Sequence, residues 1–207
     1  MENITAGFDV DDVLLPSSSH AIRWYNKHFN THLTPSHWYK NIPTEPWAAE
    51  SDRQVIERVN IILNSEDYLS EIVPMDGALD VLNDLDANGD RKIAITSRPP
   101  WMKEMTHRAL ELCYPGAFPE GTVHFIDYST ASINNNRIQK VEIALSEGVT
   151  HYTDDMEDHL RPMGAVGIKP LLFGKDYDWN QNITTPELQR IEDWPALGEF
   201  FAHERSR

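Results

Sequence analysis

"GFDVDDVL" (residues 7–14) places Asp9, Asp11 and Asp12 within four positions, directly behind the apolar residues of "ITAGF". The segment "ITAGFDV" (4–10) reads as a buried strand, so the three carboxylates mark its carboxyl end. In an open parallel sheet, ligands bind outside the carboxyl ends of the strands. Taken alone, the cluster is equally the polar turn that closes any strand. The remainder of the chain decides between the two readings.

Beyond "VPMDG" (73–77), strands and helices alternate. A helix "ALDVLNDLDANG" (78–89) precedes the strand "RKIAIT" (91–96), and a second helix runs from about Pro100 to Cys113. Then follow the strand "TVHFID" (122–127), a helix from about Arg137 to Glu147 and the strand "VTHYT" (149–153). A short helix and the strand "IKPLLF" (168–173) complete the pattern. Alternation of this kind predicts an α/β fold with a parallel sheet between two helical layers. Residues 16–74 break it. From Ser17, an N-cap, "SSSHAIRWYNKHF" sets Ile22, Tyr25 and Phe29 at helical spacing; the following stretch is rich in aromatics and prolines and then helical, with no sheet strand. The expected organisation is therefore a core of residues 1–15 and 75–207, with a helical cap of residues 16–74 inserted after the first strand.

Four predicted strand ends carry chemistry: "FDVDD" (8–12), "TSRP" (96–99), Asp127 and "TDDMED" (153–158). Asp9 and Asp11 lie two apart and share a face if the strand stays extended through both. Joined in one crevice by Asp154 and Asp155, they repel unless a hard cation neutralises them, and Mg2+ is the expected resident. With that cation in place, one aspartate can serve as nucleophile and a neighbour can shuttle a proton. The paired "TDD" after a second apolar strand favours this reading over the polar turn. Asp127 and Asp158 are expected to be structural or solvated.

Composition narrows the partners. The 207 residues carry 18 Lys+Arg against 33 Asp+Glu, a formal charge of −15, which disfavours nucleic-acid polymers and anionic lipid surfaces. A small anionic substrate then needs a locally positive site. The single cysteine, Cys113, excludes an internal disulfide and reads as an apolar residue of a buried helix face. No signal-peptide pattern opens "MENITAGFDVDD" and no apolar run reaches membrane-spanning length, so the cytoplasm is the expected location.

The motifs together resemble the haloacid dehalogenase (HAD) superfamily of aspartyl-phosphate-forming phosphatases. "DVDDV" is similar to its Asp-x-Asp-x-Val/Thr motif, "IAITS" to the strand-ending Thr or Ser, Lys140 in "NRIQKVEIAL" to its helix lysine and "YTDD" to its closing acidic pair. "VPMDGALDVLNDL", "TSRP", "TDD", "LLFGKDYDWN" and "IEDWPAL" resemble landmarks of one branch, the 5'(3')-deoxyribonucleotidase-like proteins. The resemblance implies a three-layer Rossmann-like core with five parallel strands in the order 5-4-1-2-3. It makes Asp9 the nucleophile and Asp11 the acid that protonates the leaving oxygen and then activates water. Mg2+ is implied on the Asp9 carboxylate, the Asp11 carbonyl and the fourth motif, with Asp155 preferred to Asp154. Thr96, Ser97 and Lys140 are implied to hold the phosphoryl oxygens. Asp12 departs from the pattern, standing where Gly or a small residue is usual, and is expected to face solvent or cap a helix in preference to supporting the metal's ligands from behind.

Arg98 reaches either a substrate phosphate or an acidic neighbour. The inserted region holds Trp24, Tyr25, His28, Trp38, Tyr39 and Trp47. Such aromatics either stack on a planar base or form the small core of the insertion. Trp38 and Trp47, in proline-punctuated loops, are the leading candidates to face a ligand. The expected activity is hydrolysis of a nucleoside monophosphate. The alternatives are another small phosphometabolite, such as a sugar phosphate, or a non-catalytic binding protein on the same fold.

Overall fold

A computed structural model describes residues 3–38, 45–126 and 133–207. Six parallel strands form the sheet: β1 (Thr5–Phe8), β2 (Arg91–Thr96), β3 (Val123–Phe125), β4 (His151–Asp154), β5 (Lys169–Phe173) and β6 (Gln189–Ile191). Their order is β3-β2-β1-β4-β5-β6. This is the expected order read from the opposite edge, with β6 added beyond β5. The sixth strand corrects the count of five. It offers only the three residues "QRI", of which Ile191 alone is buried, so no apolar run announces it.

Alternation along the strands divides the interior between two faces. Ile93, Ile95, Tyr152 and Leu172 enter one core with Val141, Ala144, Leu160 and Met163. The latter four come from α6 (Ile133–Ser146) and α7 (Glu157–Ala165). Ala6, Phe8, Ala94, Leu171 and Phe173 enter the other, against α4 (Ala78–Ala87), α5 (Lys103–Cys113) and α8 (Trp194–Arg205). That two-sided burial makes the three layers. Gly7 in β1 is required by close approach: a Cβ there would lie 2.6 Å from the Tyr152 ring of β4.

Between β1 and α4 the chain forms α1 (Ser17–Phe29), α2 (Asp52–Leu63) and α3 (Glu66–Glu71). Ser51 and Ser65 cap α2 and α3 by accepting from the amides of Gln54 and Tyr68. No side chain of its own N-cap residue, Pro16, serves α1. Asp12 takes that task from outside, its Oδ1 accepting from the Ser18 amide at 3.0 Å and the Ser18 hydroxyl at 2.7 Å. Its backbone is left-handed, φ 58°, a conformation that a short polar side chain tolerates. Asp12 caps a helix as expected and does not face solvent, its side chain being buried.

Three consecutive carbonyls of the turn after β1 are held by aromatic side chains from elsewhere. Tyr177 Oη donates to Asp12 O, Trp194 Nε1 to Val13 O and Tyr114 Oη to Leu14 O. The Tyr114 hydroxyl also accepts from the Met75 amide at 2.9 Å. One buried tyrosine thus ties together the two places where the chain leaves the core for α1–α3 and returns to it.

Candidate active site

The sheet register brings Asp9, Thr96 and Asp154 to one edge. Phe8 pairs with Ala94 and Thr153, and the Asp9 amide donates to Thr153 O at 2.9 Å. Lys140 reaches this edge from α6, fully buried. Its Nζ lies 3.1 Å from Asp9 Oδ1 and 2.9 Å from Asp154 Oδ2. His159 joins them from α7, Nδ1 standing 3.0 Å from Asp154 Oδ2 and 3.2 Å from Lys140 Nζ. Burial pushes the Asp9 carboxyl up to about 6, against the pull of Lys140. Burial acts on Asp154 in the same direction, but His159 and Lys140 outweigh it and hold that carboxyl well below the usual range. The ammonium is itself held in its charged form by the two carboxylates despite its burial.

Asp11 lies apart from this cluster. The chain turns after Phe8, so the carboxylates of Asp9 and Asp11 meet different cations. Arg98 Nε donates to Asp11 Oδ2 at 3.2 Å and Nη2 to Oδ1 at 2.8 Å, the fork of a bidentate pair. Burial raises the Asp11 carboxyl, but the guanidinium prevails and it ends below its ordinary value. Of the two roles open to Arg98, the acidic neighbour is the one found. Its assignment as a substrate-binding candidate is corrected, since the side chain is buried and turned inward on Asp11, Ser17, Tyr68 and Thr106.

Asp155 is completely buried, and its Oδ2 accepts from Trp179 Nε1 at 2.7 Å. Asp155 Oδ1 and Asp12 Oδ2 are buried with no hydrogen-bond partner among the described residues. Burial, with the nearby carboxylates of Asp154, Asp12 and Asp9, pushes the Asp155 carboxyl well above its ordinary value. Burial likewise takes Asp12 up to about 7, against its bonds from Ser18. Orphaned carboxylate oxygens crowded by like charge suit a hard divalent cation. A tighter grouping also exists, with ligand atoms of Asp9, Asp154 and His159 within 4.8 Å of one another. There the Lys140 ammonium already lies against both carboxylates, at 3.1 Å from Asp9 and 2.9 Å from Asp154, whereas Asp155 Oδ1 has no such partner.

Thr96 is buried at the end of β2, its Oγ1 accepting from the Arg98 amide at 3.0 Å, and Ser97 beside it is half-buried. Asp158 is exposed and pairs with Arg137 at 2.6 Å, as a solvated residue does. Asp127 and Tyr39 lie outside the described residues. Trp38 and Trp47 depart from their expected place facing a ligand. Trp47 is only 1% exposed, edge-on to Tyr25 at 4.9 Å, and Trp38 is buried 5.9 Å from it. Together with Val55 they line the interior of the α1–α2 region, the alternative reading of these aromatics. Trp47→Ala is accordingly expected to cost about 3–5 kcal/mol of stability. It should lower activity equally on large and small substrates, which melting curves and parallel kcat/KM measurements check.

His159 and Trp179 were not singled out from the sequence. "TDDMEDH" does place a histidine in the first turn after the acidic pair, the one signal that points to His159. Trp179 sits in "DYDWN", 24 residues beyond its partner, where only the fold makes them neighbours.

No family model matches the chain. A Bacillus cereus protein bearing the name "Putative nucleotidase" is 28% identical, over 96% of this chain and 98% of its own. Among solved structures, a Clostridium difficile protein described as a "Putative Phosphatase" superposes with a TM-score of 0.66 at 14% identity, covering 97% and 99% of the two chains. An Entamoeba histolytica protein described as a "HAD hydrolase, family IA, variant 3" gives 0.62 at 14% identity, over 93% and 94%. The structural likeness shows the fold, a Rossmann-like α/β core.

Proposed function

We propose that the chain is a Mg2+-dependent phosphomonoesterase of the HAD superfamily, acting through an aspartyl-phosphate and preferring nucleoside monophosphates. The observation that carries it is the convergence on one sheet edge of Asp9, a fully buried Lys140 and the orphaned Asp155 oxygen. Asp9 attacks phosphorus as the bond to the leaving oxygen breaks, and Asp11, acting in its protonated form, gives that oxygen its proton and becomes a carboxylate. Asp11 then takes a proton from the water that cleaves the aspartyl-phosphate, releasing inorganic phosphate. Lys140, with Thr96 and Ser97, holds the transferring phosphoryl oxygens. Mg2+ would be held by the Asp9 carboxylate, the Asp11 carbonyl and Asp155, and it supplies charge neutralisation for the entering phosphoryl group. The helices of residues 16–74 act as the cap over this edge.

The name of the Bacillus cereus relative supports the nucleotide preference. Trp101 adds to it, being 58% exposed on the turn Pro100–Met102 that follows Thr96–Arg98. It is the aromatic we assign to a base in place of Trp38 and Trp47. The burial of those two removes one argument for a base, which keeps a sugar phosphate as the second reading. Hydrolysis of an aryl phosphate with Mg2+ and with EDTA, followed by a panel of phosphorylated metabolites, tests both levels. Metal-dependent turnover is expected, with nucleoside monophosphates giving the highest kcat/KM. A panel led by sugar phosphates would overturn the nucleotidase reading alone. An inert protein would overturn the phosphatase and favour a non-catalytic binding protein.

A further inference from the structure

Arg98 is the most heavily engaged buried cation on the Asp11 side of the edge. Its Nε and Nη2 grip the Asp11 carboxylate, while Nη1 donates to Thr106 Oγ1 of α5 at 3.1 Å. Nη2 also has Ser17 Oγ of α1 at 3.1 Å and Tyr68 Oη of α3 at 3.2 Å. A guanidinium nitrogen carries two hydrogens, and three acceptors surround this one. The position of Asp11 is therefore set jointly with that of α1 and α3, the first and last helices of the inserted region. An arginine used only to fill space would not need a fork on a carboxylate that reaches the surface, 20% exposed.

We infer that Arg98 is a positioning residue: it fixes the orientation of the Asp11 carboxyl group, which in its protonated form delivers the proton to the leaving-group oxygen, and makes that orientation depend on where α1 and α3 sit. The inference rests on the phosphatase reading above. Proton delivery matters most for a basic leaving group and least for an acidic one, so Arg98 governs which phosphate esters are cleaved rather than whether phosphate is bound.

The test is a series of phosphate monoesters of rising leaving-group basicity, from 4-nitrophenyl phosphate to alkyl phosphates, with wild type, Arg98→Ala and Arg98→Lys. Removing a positioned acid is expected to lower kcat about 100-fold on alkyl esters and under about 5-fold on 4-nitrophenyl phosphate, with KM little changed. Arg98→Lys keeps the charge without the fork, so it should fold if Arg98→Ala does not and show the same steepened dependence. Added guanidinium should restore part of the alkyl-ester rate to folded Arg98→Ala. A loss uniform across the series, or one confined to KM, would overturn the inference and leave the phosphatase intact. A wild type inert on every ester would instead overturn the phosphatase reading and this inference with it.

Discussion

Asp9→Asn is expected to lose about 10⁴-fold or more in kcat while the folded apo protein becomes more stable at alkaline pH. An amide is a poor nucleophile, and loss of the attacking group ordinarily leaves only binding and charge stabilisation behind. The stability gain follows from linkage. Burial first, then the Asp154 and Asp11 charges, raise the Asp9 carboxyl from 3.8 to about 6 against the pull of Lys140 and His159. A carboxyl raised on folding contributes fully below its ordinary value, and that contribution is lost as pH climbs through about 6. At pH 8 the charge then costs up to about 3 kcal/mol, which an uncharged amide avoids. Melting curves in EDTA at pH 5 and pH 8 should show the variant's advantage only at the higher pH. Mg2+ should reverse the order by stabilising wild type more. A variant with near wild-type kcat would remove Asp9 from its role; no pH-dependent advantage would contradict the burial account.

Lys140→Met is expected to be the converse, losing both activity and stability. The ammonium lies 3.1 Å from Asp9 and 2.9 Å from Asp154, all three side chains being buried. Removing one partner of a buried ion pair leaves charge uncompensated and typically costs about 3–5 kcal/mol. In a protein of this size that is a fall of about 6–20 °C in Tm. The kcat loss should be about 10²-fold or more, because the variant also lacks the cation assigned to the phosphoryl oxygens. Lys140→Arg should not restore either property, since a planar fork does not fit a slot built around a point charge. Near wild-type Tm for Lys140→Met would show that Asp9 and Asp154 are neutralised by something other than this lysine.

The readable parts of the chain were those whose signals are local. β1, β2, β4 and β5 are apolar runs that end in polar residues, and Asp9, Thr96 and Asp154 fall at or directly after those ends. Their meeting at one edge follows from parallel order alone. Lys140 was legible as a lysine preceding the "TDD" strand. What remained hidden depends on distance in the chain. Arg98 lies 87 residues from Asp11, and nothing in "TSRP" tells an inward arginine from one that awaits phosphate. The aromatics of residues 24–47 carry the same composition whether they line a pocket or fill a core, so Trp38 and Trp47 could not be oriented. β6 escaped because an edge strand of three residues has one buried side, not two.

The turn that follows β1 is synthesised well before the residues that anchor it. The donors to the carbonyls of Leu14, Asp12 and Val13 stand 100, 165 and 181 residues downstream, at Tyr114, Tyr177 and Trp194. Until α8 emerges, the acidic turn therefore lacks its full set of side-chain donors and has only its local bonds, such as Leu15 N–H to Val10 O at 2.9 Å, and the partners already made. The complete set of partners that receives the mutually repelling aspartates, Lys140 and the three aromatic donors, exists only once Trp194 has been made.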